Sequence, residues 1–367
     1  MAGTKIKDVT EYLESFAPRA YQEAYDNSGL ITGDETAEVQ GLLVTLDCTE
    51  AVVQEGIDRK CNLIVAHHPI LFKGLKRLTG SNYVERTLIK AIKANIAIYA
   101  IHTNLDNVDQ GVNRKIGEKI GLKNLRVLLP KDDVLSKLTT FVPAANTDQV
   151  LDALHKAGAG QIGNYQNCSF RIKGTGTFKP GPDANPHVGT SGQQEFVEEM
   201  RVEVIFPSHL NRQVMAALKK SHPYEEVAYY LSALKNQNQE VGSGMIGELD
   251  DSMEPVAFLE RLKTRMDLKM IRHTPLINRA VKKVAVCGGA GSFLLPNAIR
   301  EGAAVFITAD FKYHEFFDAD GRIIIADIGH YESEVFTKEL LQEVLIKKFR
   351  TFAINFSSTI TNPISYL

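Results

Sequence analysis

Leu63-Ile64-Val65-Ala66-His67-His68-Pro69 is an apolar run that delivers two adjacent imidazoles at its carboxyl end. Its β-branched content predicts a buried strand, and the carboxyl ends of strands are where α/β folds place their chemistry. Neighbouring side chains on an extended chain point to opposite faces, so His67 and His68 can share a site only if the strand stops there and turns. Pro69, with its fixed φ and no N–H to give, supplies the stop. On this motif alone, a metal or catalytic site and a polar loop after a buried strand are equally good readings.

A second strand, Arg322-Ile323-Ile324-Ile325-Ala326-Asp327-Ile328-Gly329, runs into His330-Tyr331-Glu332-Ser333-Glu334 and then an amphipathic segment through Lys347. If a helix begins near Gly329, the four-residue spacing stacks His330 and Glu334 on one face, where they can hold one cation. Glu332 points elsewhere, as a solvated or first-turn charge. Such His/Glu pairs are common on surface helices, and it is the strand end that favours a site here. A third strand, Asn95 to Ile101, ends in His102-Thr103-Asn104-Leu105-Asp106. Asp106 has a competing reading as the cap of a helix beginning near Val108. Three such strand ends in a chain with ten histidines are hard to assign to chance.

The 367 residues suffice for two or three domains, and 44% hydrophobic with 23% charged residues is ordinary for a soluble protein. A formal charge of -2 gives no net attraction to nucleic acid or anionic membrane. Cys48, Cys61, Cys168 and Cys287 have no CxxC spacing, so neither a disulfide framework nor a Cys-type zinc site is suggested. The amino terminus lacks an apolar targeting core and no stretch is long enough to span a bilayer, which makes a reducing cytoplasm the expected compartment.

Strands ending near Asp47, His67 and His102 alternate with helices over about 49–59 and 84–94, after a first helix over about 6–16. That order implies parallel pairing with right-handed crossovers. The carboxyl third repeats it, with a strand over 284–287, a helix running to about Gly302, a strand over 304–310, a helix over 312–317 and the strand before His330. In this quasi-repeat Asp310 takes the place of His67 and His68, and His330 with Glu334 that of His102 with Asp106. Two similar α/β halves, 1–131 and 237–367, would converge their strand ends on one pocket. Gly288-Gly289-Ala290-Gly291-Ser292 could cradle a phosphate at a helix start, but it lacks a P-loop lysine, and a tight turn is the favoured reading.

Between the halves, residues 132–236 read as β-α-β-β-α-β, a ferredoxin-like module inserted into the α/β domain, with a Gly/Pro-rich stretch from Gly174 to Gly192. The last strand is expected from His222 to Tyr230. His222, Tyr224 and Glu225 form either a small-molecule site or a turn entering an edge strand, the second being favoured.

With these motifs assembled, the chain resembles the Nif-three-like dinuclear metal-centre family, whose members are labelled type 2 homologues of GTP cyclohydrolase I. The match rests on Tyr25-Asp26-Asn27-Ser28-Gly29-Leu30, Val65-Ala66-His67-His68-Pro69, His102-Thr103-Asn104-Leu105-Asp106, Thr308-Ala309-Asp310 and Gly329-His330-Tyr331-Glu332-Ser333-Glu334. The central segment is similar to the PII- or CutA-like insert of longer members. Ala309 departs from the family's usual glycine, which bears on the shape of the Asp310 turn. The resemblance implies two divalent ions per chain on His67, His68, Asp106, His330 and Glu334, with Glu334 bridging. This nitrogen and oxygen set suits zinc, manganese, iron or cobalt. His102 and Asp310 become candidates for proton transfer or for orienting the ligands. A metal-dependent hydrolase acting on a nucleotide-like small molecule follows, as a ring-shaped homohexamer with no membrane partner and no nucleic-acid partner. The alternative is a non-catalytic regulatory or scaffold hexamer whose insert senses a small ligand.

Overall fold

The computed structural model describes residues 3–367 and divides into two compact units, residues 3–129 with 241–367, and residues 130–240. The first unit, drawn from two separate stretches of the chain, is mixed α/β and built on two sheets.

The first sheet runs Gly29–Thr32, Ala97–Ala100, Leu63–Ala66, Gly41–Thr45, Ala353–Phe356. Its last four strands are parallel and Gly29–Thr32 is antiparallel to its neighbour. Every residue of the three central strands is buried, as expected of parallel strands covered on both faces. Helices Glu50–Asp58 and Tyr83–Lys93 make the crossovers. Each begins at a side-chain cap, Thr49 accepting from Val52 N–H and Asn82 from Glu85 N–H, which satisfies a first-turn donor. Val52, Val53, Leu88 and Ala91 pack on Leu43, Ile64 and Ile98, each large buried aliphatic contributing about 1.5–3 kcal/mol.

In the second sheet the order is Arg272–His273, Ile324–Asp327, Val305–Ala309, Val281–Ala290, Asn238–Met253, Lys123–Lys131. Val281–Ala290, Val305–Ala309 and Ile324–Asp327 are parallel to one another, so the carboxyl half does repeat the parallel motif of the amino half. Leu294, Leu295 and Ala298 cover Ala285, Phe306 and Ile325.

Three sequence readings change, and one strand is added that none of them included. Strand Ala353–Phe356 was not foreseen, and it leaves the carboxyl half to pair with Gly41–Thr45 in the first sheet, Ile354 lying opposite Leu42. No helix begins near Val108: a short helix Thr103–Asp106 is followed by Val112–Ile120, capped by Gly111, so Asp106 caps nothing. The segment after Asp310 is a 3-10 helix, Tyr313–Ala319. In the second unit His222 ends helix Asn211–Ser221, and the last strand is Tyr229–Leu234.

That second unit has the element order β-α-β-β-α-β. Its antiparallel sheet runs Phe170–Phe178, Glu195–Pro207, Leu135–Pro143, Tyr229–Leu234. Helices Thr147–Lys156 and Asn211–Ser221 bury Val150, Leu154, Val214 and Leu218 against Leu138, Val142, Val202, Val204 and Phe206.

Candidate metal centre

Strand Leu63–Ala66 ends where the sequence places its turn, and His67 follows fully buried. Its Nδ1 lies 2.8 Å from the Ile101 carbonyl oxygen, and because a carbonyl only accepts, Nδ1 carries the proton. Nε2 is left as a bare lone pair, and it faces Asp106 Oδ1 across 3.6 Å. Both atoms are buried and neither has a hydrogen-bond partner. Two buried polar atoms that face each other with no hydrogen bond between them, each costing about 1–3 kcal/mol unsatisfied, form a geometry that a cation relieves.

The remaining groups repeat this pattern. His68 Nδ1–H donates to Asp47 Oδ1 at 2.7 Å, and its Nε2 sits 2.9 Å from Glu334 Oε2. His330 Nδ1–H donates to Asp310 Oδ2 at 2.7 Å, and its Nε2 is 3.1 Å from the same Glu334 oxygen. His102 Nδ1–H donates to Asp26 Oδ1 at 2.8 Å. Each imidazole thus has its outer nitrogen tied and its inner nitrogen turned to the centre, the arrangement that fixes tautomer and ring orientation in metal sites. The rings of His67, His68 and His102 lie 4.9 to 5.3 Å apart, and His330 lies 5.2 Å from His68. Three overlapping groups can hold an ion: His67, His68 and His102; His68, His330 and Glu334; and His67, Asp106 and Glu334.

Electrostatics make the same demand for positive charge. Burial alone would lower His68, but hydrogen bonds to Asp47 and Glu334 lift it to about 10. His330 rises against burial to about 9 through Glu334 and Asp310. His67, whose Nε2 makes no hydrogen bond, is driven down to about 3 by burial, which outweighs the charge of Glu334. Burial and the nearby Glu334 raise Asp106, whereas His330 and His68 overcome burial and lower Glu334.

Glycines let the backbone come this close. Gly329 (φ 90°) starts the short helix His330–Glu334, which stacks His330 over Glu334. Gly289 (φ 62°) passes so near that a β-carbon there would lie 2.5 Å from Glu334 Oε1. The glycine loop is therefore a close-approach wall rather than a phosphate cradle: Gly288 N–H donates to Asn113 and Gly289 N–H to Ser333. At the Thr308-Ala309-Asp310 motif, Ala309 sits regularly in its strand and the left-handed residue is Asp310 (φ 56°).

All five residues expected to bind metal converge, and His102 joins them. Asp310 reaches the centre only through His330. Sequence reasoning missed Asp47 and Asp26 as site residues, though Asp47 follows a buried strand as His67 does. Glu332 accepts from Asn362 Nδ2 at 3.0 Å, and Thr361 Oγ1–H donates to Asp47 Oδ2 at 2.6 Å, so the carboxyl-terminal segment closes one side. A cavity of about 860 Å³ stands over the cluster. Exposed rings of Tyr25, Phe72, Tyr83 and Phe293 stand at its wall, and among the described residues no Lys or Arg lines it.

Comparison with known proteins agrees over the full length. A protein of Halalkalibacterium halodurans named GTP cyclohydrolase 1 type 2 homolog is 40% identical over 365 residues, covering 98% of each chain. A Bacillus subtilis protein of the same name is 38% identical over 367 residues, again covering 98% of each. The crystal structure of a Bacillus cereus protein related to NIF3 superposes with a TM-score of 0.87 at 37% identity, covering 100% of both chains. The model of the family Duf34/NIF3 (NGG1p interacting factor 3) matches residues 4–363, and the chain belongs to that family.

Proposed function

We propose that the chain is a metal-dependent hydrolase acting on a nucleotide-like small molecule. Two divalent ions per chain (zinc, manganese, iron or cobalt) would be held by His67, His68, Asp106, His330 and Glu334, with Glu334 shared. The observation that carries this reading is the unsatisfied pair His67 Nε2 and Asp106 Oδ1, of which Asp106 lines the cavity. When bound, such ions supply an activated water and stabilise charge at the attacked centre.

The chain's own groups do the rest. Asp47, Asp310 and the Ile101 carbonyl hold three imidazoles in one tautomer. His102, its Nδ1–H given to Asp26, keeps Nε2 for taking or returning a proton. The exposed rings suit a planar heterocycle. A triphosphate finds no lysine or arginine in the wall, so the heterocycle rather than the phosphates is the recognised part. The names of the relatives support a purine, with water attacking a ring carbon.

The test is turnover. Protein reloaded separately with zinc or manganese is incubated with GTP, guanosine, other nucleotides, phosphodiesters and small amides, and each compound is followed by mass spectrometry against Asp106→Ala. Metal-dependent loss of one compound is expected; metal retention without any turnover would favour the regulatory or scaffold reading. We further propose a homohexamer, which native mass spectrometry would show at six times the chain mass. For the second unit we propose a ferredoxin-like, PII/CutA-like assignment, on its strand order. A cytoplasmic location is our inference too, supported by four free cysteines.

A further inference from the structure

The second unit has a cavity of its own. Along strand Glu195–Pro207, Val202, Val204 and Phe206 face the helices, so the two-residue period turns Glu199 and Arg201 to the open face of the sheet. Glu199 lies opposite Pro143 and Gly174, and Arg201 opposite Phe141. The stretch after Phe178 and the turn at Tyr224 roof this face, enclosing about 720 Å³ lined by Phe141, Gly176, Phe178, His187, Glu199 and Tyr224.

At the floor, Glu199 is only 7% exposed. Of the basic residues near it, Arg201 and Lys137 pair with Glu203 and Lys173 with Glu198, while Lys179, which also lines the cavity, is exposed to solvent. His222 gives Glu199 no charge, because Nε2–H donates to the Phe141 carbonyl at 2.9 Å and Nδ1 accepts from Tyr224 N–H at 3.1 Å. Gly176 makes room for the carboxylate, since a β-carbon there would lie 2.1 Å from Glu199 Oε2. The buried Tyr224 hydroxyl faces the Glu199 carboxylate, a neutral donor that leaves the carboxylate's charge uncompensated. Its ring is flanked by His222, Phe178 and His187 at 5.1, 6.0 and 6.1 Å. A buried carboxylate with no cation is costly, and aromatic faces around it attract a positive charge.

We propose that this cavity binds an organic cation, an ammonium group on a small apolar body, with Glu199 as its counter-charge and the Phe178 and Tyr224 rings as its walls. The site is independent of the metal centre and of the hydrolase reading.

The full-length protein is titrated with tetramethylammonium and n-butylammonium, and with the neutral tert-butanol and n-butanol, by calorimetry and ligand-observed NMR. Saturable binding of at least one ammonium is expected, with its neutral counterpart weaker by at least about tenfold, the scale of one desolvated cation–π contact. Glu199→Gln, which keeps the shape, should lose that preference, and Gly176→Ala, which fills the floor, should lose binding, both with unchanged far-UV circular dichroism. Equal binding of cation and alcohol, undiminished cation binding by Glu199→Gln, or no saturable binding of either ammonium to the folded wild type would overturn the proposal. If Gly176→Ala misfolds, Glu199→Gln alone decides.

Discussion

Asp106 Oδ1 lies 3.6 Å from His67 Nε2, both buried, and no hydrogen bond joins them. Asp106→Asn would place an amide N–H against that lone pair and satisfy it without metal. The variant should therefore be at least as stable as wild type in chelator, yet gain nothing from zinc or manganese. Wild type at a metal concentration about a hundredfold over Kd should gain about 2.7 kcal/mol, a shift of several degrees in melting temperature. Calorimetry of both proteins with and without metal decides the point. An equal metal-induced shift in Asp106→Asn would remove Asp106 from the ligand set.

Asp47 touches the centre only through His68, and partners of this kind typically contribute 10- to 100-fold in metal affinity. Asp47→Ala should weaken binding by about that factor while leaving the fold intact. Competition with a chromophoric chelator reads the affinity directly. An unchanged affinity would mean that His68 is held by packing alone.

Much of this arrangement is legible in the sequence, and the limits have physical causes. Buried parallel strands announce themselves as apolar runs, so the ends at His67, His102 and His330 are readable. The i,i+4 rule brings Glu334 beside His330. What periodicity cannot carry is long-range pairing: Ala353–Phe356 joins a strand more than three hundred residues earlier, and Asp26 meets His102 across 76 positions. Gly288–Gly291 leaves two readings open in sequence for a related reason. The same residue type serves a phosphate loop or a close approach to side chains, and only the positions of Glu334, Asn113 and Ser333 tell the two apart.

Gly289→Ala tests that distinction. A β-carbon would sit 2.5 Å from Glu334 Oε1 on a residue with φ 62°. Left-handed backbone costs a side chain about 1–2 kcal/mol, and the collision displaces the shared carboxylate. Chemical denaturation should show a loss of about that size, with metal affinity falling alongside. If stability falls while affinity holds, the glycine serves the turn and not the centre.

Glu55 anchors the carboxyl-terminal segment that reaches Asp47. It accepts from Ser357 Oγ, from Ser358 N–H and Oγ, and from Thr359 N–H and Oγ1, at 2.7 to 3.2 Å. Burial would raise its pKa, but these hydrogen bonds outweigh burial and lower it to about 2, against about 4.3 in an unfolded chain. A carboxyl whose folded pKa is depressed contributes stability that is complete above the unfolded value and is lost as pH falls through the folded one. The difference in urea midpoint between wild type and Glu55→Gln should therefore be full at pH 6 and shrink steadily as pH falls from about 4.3 towards 2. Because Thr361 follows the anchored stretch and donates to Asp47, Glu55→Gln should also expose residues 357–362 to proteolysis at neutral pH. A midpoint difference that stays constant over this range would show that Glu55 holds the segment by shape and not by charge.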